Sequence, residues 1–497
     1  MILRLVWRSL RFAPGRTLLM LGGYSLGVGV MVALLSIGDA MVEQSRDRDL
    51  IGGGDLAVLP AGIDLETVRT GGVSSLYFGI DLARFFYREV LAGPRLAGSN
   101  GGEGAVAAVA PWIDDALLYL RLEDGGPAVA ASAGGQIPSA AAALGVMPDL
   151  RSGAWTDNEA DRRWMAPNPD ERLTEIDGFH APPGGAAKDS TWAEWHYFNL
   201  LSPDGERWLY LTYLVGGDLR GGRWGGRLLA TLVEAGREDD RVFEREFGPG
   251  DVDVAPGRVD VAIGGASTVR LEDGRYHLAA EIPSAGAGTG GPLRVDLVVE
   301  PQPHRYLPAV DISPGGFPSG YAVPVLRGAA RGTICAGTAC EDWSGGRAYH
   351  DHNWGTWSDV TWDWGQFQLG DWSIVYGGVN RDSMPGAPAS TTGSRFLFAV
   401  DSLGLAAVLP VRTVEYELGA DGVPTRLDLE AGRGEYSLRL QAEVGHVRTT
   451  AADPEASPAD LFFQLRGPAS VEGRLPVGGV SAAGDGFFET WQRRTRP

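Results

Sequence analysis

Residues 17–38 read TLLMLGGYSLGVGVMVALLSIG, 22 positions without a charged side chain. A helix of that length spans a hydrocarbon core of about 30 Å. Arg4, Arg8, Arg11 and Arg16 precede the run, and Asp39 and Glu43 follow it. Arginine ahead of a first helix holds the N-terminus in the cytoplasm. The expectation is therefore a cytoplasmic basic tail (1–16), one transmembrane helix (17–38) in the cytoplasmic membrane, and a soluble body on the extracytoplasmic (periplasmic) side. The competing reading is a cleaved signal peptide. Against it, the run is longer than a signal h-region and no clean A-x-A site follows. No second run of this length occurs, so the chain by itself is not expected to form a multi-helix pore.

The 497 residues suffice for about three domains. A formal charge of −20 argues against nucleic acid as a partner, because affinity there comes from neutralising phosphates. The 72 glycines and 31 prolines favour many turns and short strands over long helices. No GxxxxGK[ST] loop, strand-then-GxGxxG turn or GxSxG elbow is present. Cys335 and Cys340 could close a small hairpin disulfide in an oxidising compartment or remain free thiols. Two cysteines cannot make a structural zinc site of four ligands.

Ile80–Leu91 has Leu82, Phe85, Phe86 and Val90 at helical spacing. Val106–Leu122 reads as two short strands. Pro167, Pro169, Pro182 and Pro183, with Gly184 and Gly185, read as a linker. Beyond it the periodicity becomes that of strands. Glu194–Asn199 and Trp208–Val215 bracket the turn Ser202-Pro-Asp-Gly205, a hairpin signature. Short strands recur at Leu228–Val233, Val259–Ile263, Tyr276–Glu281 and Leu293–Glu300, and the texture resumes from Trp362 to Phe488. Regular short strands of this kind suggest antiparallel sandwiches or barrels.

One stretch looks chemical. Residues 343–376 hold six of the fifteen tryptophans around Tyr349-His-Asp-His-Asn-Trp-Gly355. In an extended strand His350, His352 and Trp354 share one face, and Tyr349, Asp351 and Asn353 the other. An imidazole exchanges protons near neutral pH, and an indole face stabilises a nearby cation. Three readings stay open: a metal site on His350 and His352, for which no third ligand is evident nearby; a structural strand corner; and a catalytic or ligand-facing role for His352 and Trp354.

Two resemblances bear on these readings. Arg8-Ser-Leu-Arg11, Arg16-Thr-Leu-Leu, Ala33-Leu-Leu-Ser-Ile-Gly and the following GGGDLAVLPAG and TGGVSSLYFGI resemble the start of permeases of the MacB/FtsX type, over residues 1 to about 150. This implies ABC transporter subunits as possible partners. Glu194-Trp-His-Tyr-Phe-Asn, the His-Asp-His-Asn-Trp-Gly run and Gly484-Asp-Gly-Phe-Phe-Glu-Thr490 resemble the AttH and carotenoid 1,2-hydratase (hydroxyneurosporene synthase) family, over residues 176–497. That resemblance implies a mainly β fold of two tandem lipocalin-like (calycin) antiparallel barrels with a lipophilic cavity. They would follow the transmembrane helix and a small α+β extracytoplasmic segment. The expected divisions are 39–175 for the permease-like segment, 176–345 for the first barrel and 346–497 for the second.

The resemblance further implies His352 as acid/base, Trp354 as cation-stabilising wall and Tyr376 as hydrogen-bonding partner. The family's Tyr-x-Asp is matched here only by Tyr376-Gly-Gly378, without the aspartate. His350, Trp357, Trp364 and Trp195 are expected at the ligand, and Asp351, Asn353 and Glu194 in structural roles. The resulting expectation is a membrane-anchored binder of a lipophilic small molecule, with hydration or hydrolysis of that molecule as its candidate chemistry and no metal or cofactor. The alternative is a non-enzymatic lipid- or substrate-binding subunit of an ABC exporter.

Overall fold

The computed structural model describes residues 12, 14–45, 56–59, 79–98, 104–121, 128–145, 156–180, 191–218, 223–237, 239–285, 291–311, 319–355, 361–380, 395–451 and 460–493. The chain divides into two compact units, Met1–Phe78 with Ala108–Asp157 and Gly79–Ala107 with Asn158–Pro497.

In the first unit the uncharged run lies in a helix, Pro14–Ser45. Its Pro14–Val32 stretch is long and apolar enough to cross a membrane, with a mean hydropathy of 1.2 and none of it buried. A signal sequence would pass the same test. The expected strand pair in Val106–Leu122 is instead one strand, β1 (Trp112–Leu120). Its antiparallel partner is β2 (Val129–Gln136).

The second unit is mainly β. Its strands begin with β3 (Thr191–Leu201), β4 (Arg207–Asp218), β5 (Arg223–Glu234), β6 (Arg241–Phe247), β7 (Val252–Val254), β8 (Asp260–Ile263), β9 (Ser267–Glu272), β10 (Arg275–Ile282), β11 (Leu293–Pro301), β12 (Leu307–Asp311), β13 (Gly320–Ala336), β14 (Ala339–Asp342) and β15 (Gly346–Gly355). These thirteen form one antiparallel sheet in the order β6-β5-β4-β3-β15-β13-β11-β10-β9-β8-β7, with β12 and β14 added to β13. The sheet rolls up until β6 meets the chain after β10. Phe243 and Ser284 bridge there, and Ala285 N–H donates to Val242 O at 2.8 Å.

Next come β16 (Thr361–Leu369), β17 (Trp372–Asn380), β18 (Phe396–Asp401), β19 (Gly404–Leu418), β20 (Pro424–Arg433), β21 (Tyr436–Glu443), β22 (His446–Ala451), β23 (Asp460–Leu475) and β24 (Gly478–Arg493). The long β23 pairs with β22 at one end and β21 at the other. The ring β16-β17-β18-β19-β20-β21-β23-β24 thereby closes on itself through the β16–β24 pairing. Eight strands leave an interior just wide enough for side chains to fill. Phe367, Tyr376, Leu429, Phe463 and Phe488 fill this one. The first barrel is likewise packed, with Phe198, Leu211, Tyr213, Tyr276 and Leu297 inside. The two-barrel architecture matches the sequence reading. Among the described residues, however, both interiors are side-chain cores rather than the expected lipophilic cavity.

Three expectations are revised. First, β15 completes the first barrel, between β3 and β13, so the expected start of the second barrel at residue 346 falls one strand early. Second, the expected linker is structured on its N-terminal side. Asn168 accepts a hydrogen bond from Glu171 N–H at 2.7 Å and Pro169 opens the helix Pro169–Asp177, the residue types that favour a helix start. That helix packs on β9, β12 and β13 and puts Leu173 and Ile176, with Phe179 just beyond, into the first barrel's core. Pro182, Pro183, Gly184 and Gly185 lie outside the described residues. Third, the amphipathic segment Ile80–Leu91 is a helix whose second half, Phe86–Leu91, widens to π geometry. It belongs to the barrel body, with the Phe85 ring 5.4 Å from Tyr306 and 6.3 Å from Phe398.

Cys335 and Cys340 are disulfide-bonded across the β13–β14 hairpin, the oxidised of the two states the sequence left open. Because Leu173 is 1% exposed and anchors the helix that carries Asp177, Leu173→Ala should cost about 2–5 kcal/mol. A denaturant midpoint shifted at unchanged slope would report it; a linker residue would give no shift.

Candidate functional site

Strand alternation sends the two faces of β15 to different places. Its even residues His350, His352 and Trp354 point into the first barrel. Its odd residues Tyr349, Asp351 and Asn353 point out toward the second barrel, where β16 and β24 present Trp362, Trp364 and Glu489. The sequence had assigned chemistry to the even face and support to the odd one.

On the inner face, His350 and His352 are both 0% exposed. The ladder sets His352 opposite His196 and Trp354 opposite Glu194, and the helix Pro169–Asp177 brings its last residue in from above. His352 lies between two buried carboxylates, Nδ1 at 3.0 Å from Asp177 Oδ1 and Nε2 at 2.8 Å from Glu194 Oε1. His350 Nδ1 donates to Tyr197 O at 2.9 Å, and its Nε2 faces Asp177 Oδ2 at 3.1 Å. His196 stacks on His352 with ring centroids 4.1 Å apart. His180 continues the chain outward. Its backbone N–H donates to Glu194 Oε1 at 2.8 Å, its Nδ1 lies 3.1 Å from the same oxygen, and its ring stacks on Trp354 at 3.8 Å. Four of the chain's seven histidines thus meet in one place. Gly320 makes room for the indole: a Cβ there would sit 2.5 Å from Trp354 Cζ2.

Burial works against a charged His352, but its hydrogen bonds to Asp177 and Glu194 outweigh burial and raise it to about 9. Burial would likewise raise Asp177; the charges of His350 and His196 and the hydrogen bonds from His350 and His352 instead hold it far below the usual carboxylate range. His196 is pushed well down, first by burial and then by the His352 charge. A sealed imidazolium clamped by two carboxylates is a poor general acid, because the proton has no route to substrate and is held by both neighbours.

On the outer face, Trp364 crosses from the second barrel, and its Nε1–H donates to Tyr349 Oη at 3.0 Å. Its indole lies flat over Gly377, where a Cβ would come within 2.5 Å of the ring. Asn353 donates to Asp351 Oδ1 at 2.7 Å. Glu489 accepts from Gln464 at 3.0 Å and from Trp362 Nε1–H at 3.2 Å. Burial raises Glu489 to about 7, and the Asp351 charge adds to it. Asp351 is also raised to about 7, chiefly by burial. Further along the seam, Asn199, Arg347, Gln366, Gln368 and Asp485 border a crevice with room for about one water. Leu201, Trp208, Tyr210 and Phe487 close its apolar end.

The expected site residues therefore separate. His350, His352, Trp354 and Glu194 come together inside the first barrel. Tyr376, expected beside His352, lies in the second barrel's core instead, its hydroxyl 2.9 Å from that of Tyr416. It sits on β17, which among the described residues pairs with β16 and β18. Asp351 and Asn353 bond each other and face the seam. Glu194 is a member of the histidine cluster. Trp364 is at the seam, Trp195 is opposite Asn353 on β3, and Trp357 lies outside the described residues. Sequence reasoning missed Asp177, His180, His196 and Glu489. The alternation Glu194, His196, Phe198 had the same parity as His350, His352, Trp354 and was a legible hint. Asp177 and His180 gave no local signal.

Removing His352 would strand two buried carboxylates, so His352→Ala should cost about 3–5 kcal/mol, read as a lowered denaturation midpoint. Glu489 is a raised carboxyl: the folded protein binds its proton more tightly than the unfolded chain, where it titrates near 4.5. Its contribution to stability is full below about 4.5 and is lost as pH rises to about 7. Glu489→Gln should flatten that part of the Tm–pH curve; an unchanged slope would place the titration elsewhere.

No protein-family model matches the sequence, and no curated protein matches it. Solved structures do align with the fold. A Nitrosomonas europaea structure described as AttH is 14% identical, with a TM-score of 0.41, covering 63% of this chain and 100% of that one. CghA with Sch210972 is 13% identical, with a TM-score of 0.41, covering 67% and 97%. Kievitone hydratase from Nectria haematococca is 13% identical, with a TM-score of 0.38, covering 63% and 98%.

Proposed function

We propose that this chain binds a lipophilic small molecule at the seam between its barrels and adds water to it by acid–base chemistry. The observation that carries this reading is Glu489, a carboxyl raised to about 7 and set beside Asp351 among Trp362, Trp364 and Tyr349. A carboxyl that titrates near neutral pH can give and take a proton under working conditions. Protonated Glu489 would donate its proton to one carbon of a double bond. Water would attack the cationic carbon while Asp351 takes the water's proton, so the pair ends with its proton moved from one carboxyl to the other. The indole faces would stabilise the cation between these steps. The apolar stretch Pro14–Val32 supports a membrane tether as part of this proposal, which suits an apolar ligand delivered from a bilayer.

The test begins with the full chain in detergent, extracted and searched by mass spectrometry for co-purifying apolar molecules. The bound molecule is then incubated with the protein in H2 18O. Incorporation of heavy oxygen by the wild type, reduced about a hundred-fold or more in Glu489→Gln and Asp351→Asn with ligand still bound, is the expected result. Binding with no incorporation in the wild type would replace the enzyme with the exporter-type binding subunit. That second reading is favoured by Tyr376-Gly-Gly378, where the aspartate of the hydratase pattern is missing.

A further inference from the structure

The histidine cluster inside the first barrel contains more imidazole than its carboxylates need. Asp177 and Glu194 are each already met by a histidine: His352 reaches both carboxylates, and His350 reaches Asp177. A third ring, His196, then has no task. It is 1% exposed, and neither of its nitrogens makes a hydrogen bond. Unpartnered buried polar groups of this kind are rare and call for an explanation.

Its geometry supplies one. His196 Nδ1 is 3.6 Å from Asp177 Oδ1, and His350 Nε2 is 3.1 Å from Asp177 Oδ2. Ligand atoms of the three residues all lie within 4.8 Å of one another. Around a tetrahedral ion with bonds of about 2.0–2.1 Å, ligand atoms sit roughly 3.3 Å apart and two imidazole centroids about 5.2 Å apart. The centroids of His196 and His350 are 5.4 Å apart, and those of His196 and His352 only 4.1 Å. His196 and His350 therefore have ligand spacing, whereas His352 has stacking spacing.

The surroundings fit the same pattern. His350 donates its other ring N–H to Tyr197 O, the arrangement by which a ligating histidine is held in one tautomer. His352 approaches Asp177 from the side and reaches on to Glu194, orienting the carboxylate. The Tyr276 side chain also faces Asp177, its ring 4.9 Å from that of His350.

We propose that Asp177, His196 and His350 bind a divalent transition-metal ion, Zn2+ by ligand type, inside the first barrel, with a water in the fourth tetrahedral position. The inference is independent of the seam. The ligands come from the helix Pro169–Asp177 and from β3 and β15, so the ion would tie the helix to the barrel wall.

The test uses the full chain, expressed with Zn2+ and without a polyhistidine tag, and purified in detergent. Elemental analysis should find about one equivalent of metal per chain. A strong chelator should lower Tm by about 5 °C or more, and Zn2+, not Mg2+, should restore it. His196→Phe keeps the ring's bulk and should retain less than about a tenth of the metal, with a Tm indifferent to the chelator. Wild-type protein that holds no metal and whose Tm ignores both chelator and Zn2+ would overturn the proposal in favour of shared protons. Full metal occupancy in His196→Phe would overturn it too. Should that variant not fold, Co2+ titration of chelated wild type decides: the visible bands of tetrahedral Co2+ support the site, and their absence refutes it.

Discussion

Asp177 and Glu194 flank His352 inside a β-barrel, and a carboxylate taken out of water there costs several kcal/mol unless something positive compensates it. The first barrel is organised around that compensation. β3 and β15 must be neighbours in a register that sets His196 opposite His352. The helix Pro169–Asp177 must dock end-on so that its last side chain reaches both His350 and His352. Leu173, Ile176 and Phe179 hold it there by burial. The apolar core thus positions the charges, and the charges in turn fix one register and one docking pose for the core.

The seam follows from the same strand. Once the even side chains of β15 are committed to the histidine cluster, pleating turns Tyr349, Asp351 and Asn353 outward. The second barrel meets them with the outer faces of β16 and β24, because Phe367 and Phe488 on those strands are needed inside. Trp362, Trp364 and Glu489 are left at the boundary. Two carboxyls then share a space walled by indoles, and poor solvation raises both toward neutrality. One seven-residue run, Tyr349–Gly355, therefore serves a sealed cluster on one side and an acidic seam on the other.

The sequence was informative where structure is local. The uncharged run Thr17–Gly38 demanded a long helix, and Pro14–Ser45 is one. The hairpin around Ser202-Pro-Asp-Gly205 and the short strands through Leu293–Glu300 were legible because strand periodicity and turn residues are set by neighbouring positions. The division of β15 into two faces was equally legible. Which face turned inward was not, since alternation fixes only that the faces differ. The choice depends on what β3 and β13 place beside the strand.

Contacts between distant segments were beyond its reach. Nothing near Asp177 marks it as the partner of residues more than 170 positions later, because the helix that carries it reads as a proline-bounded linker until its apolar side chains find a barrel to cover. Tyr376 was placed by motif beside His352, yet its strand alternation sends it into the other barrel's core. The long N-terminal helix, the hairpin around Ser202–Gly205 and the short strands through Glu300 were thus legible from sequence alone. The histidine cluster, the acidic seam and the allocation of β15 between them were decided by tertiary packing, because burial and charge compensation act on residues that only the closed barrels bring together.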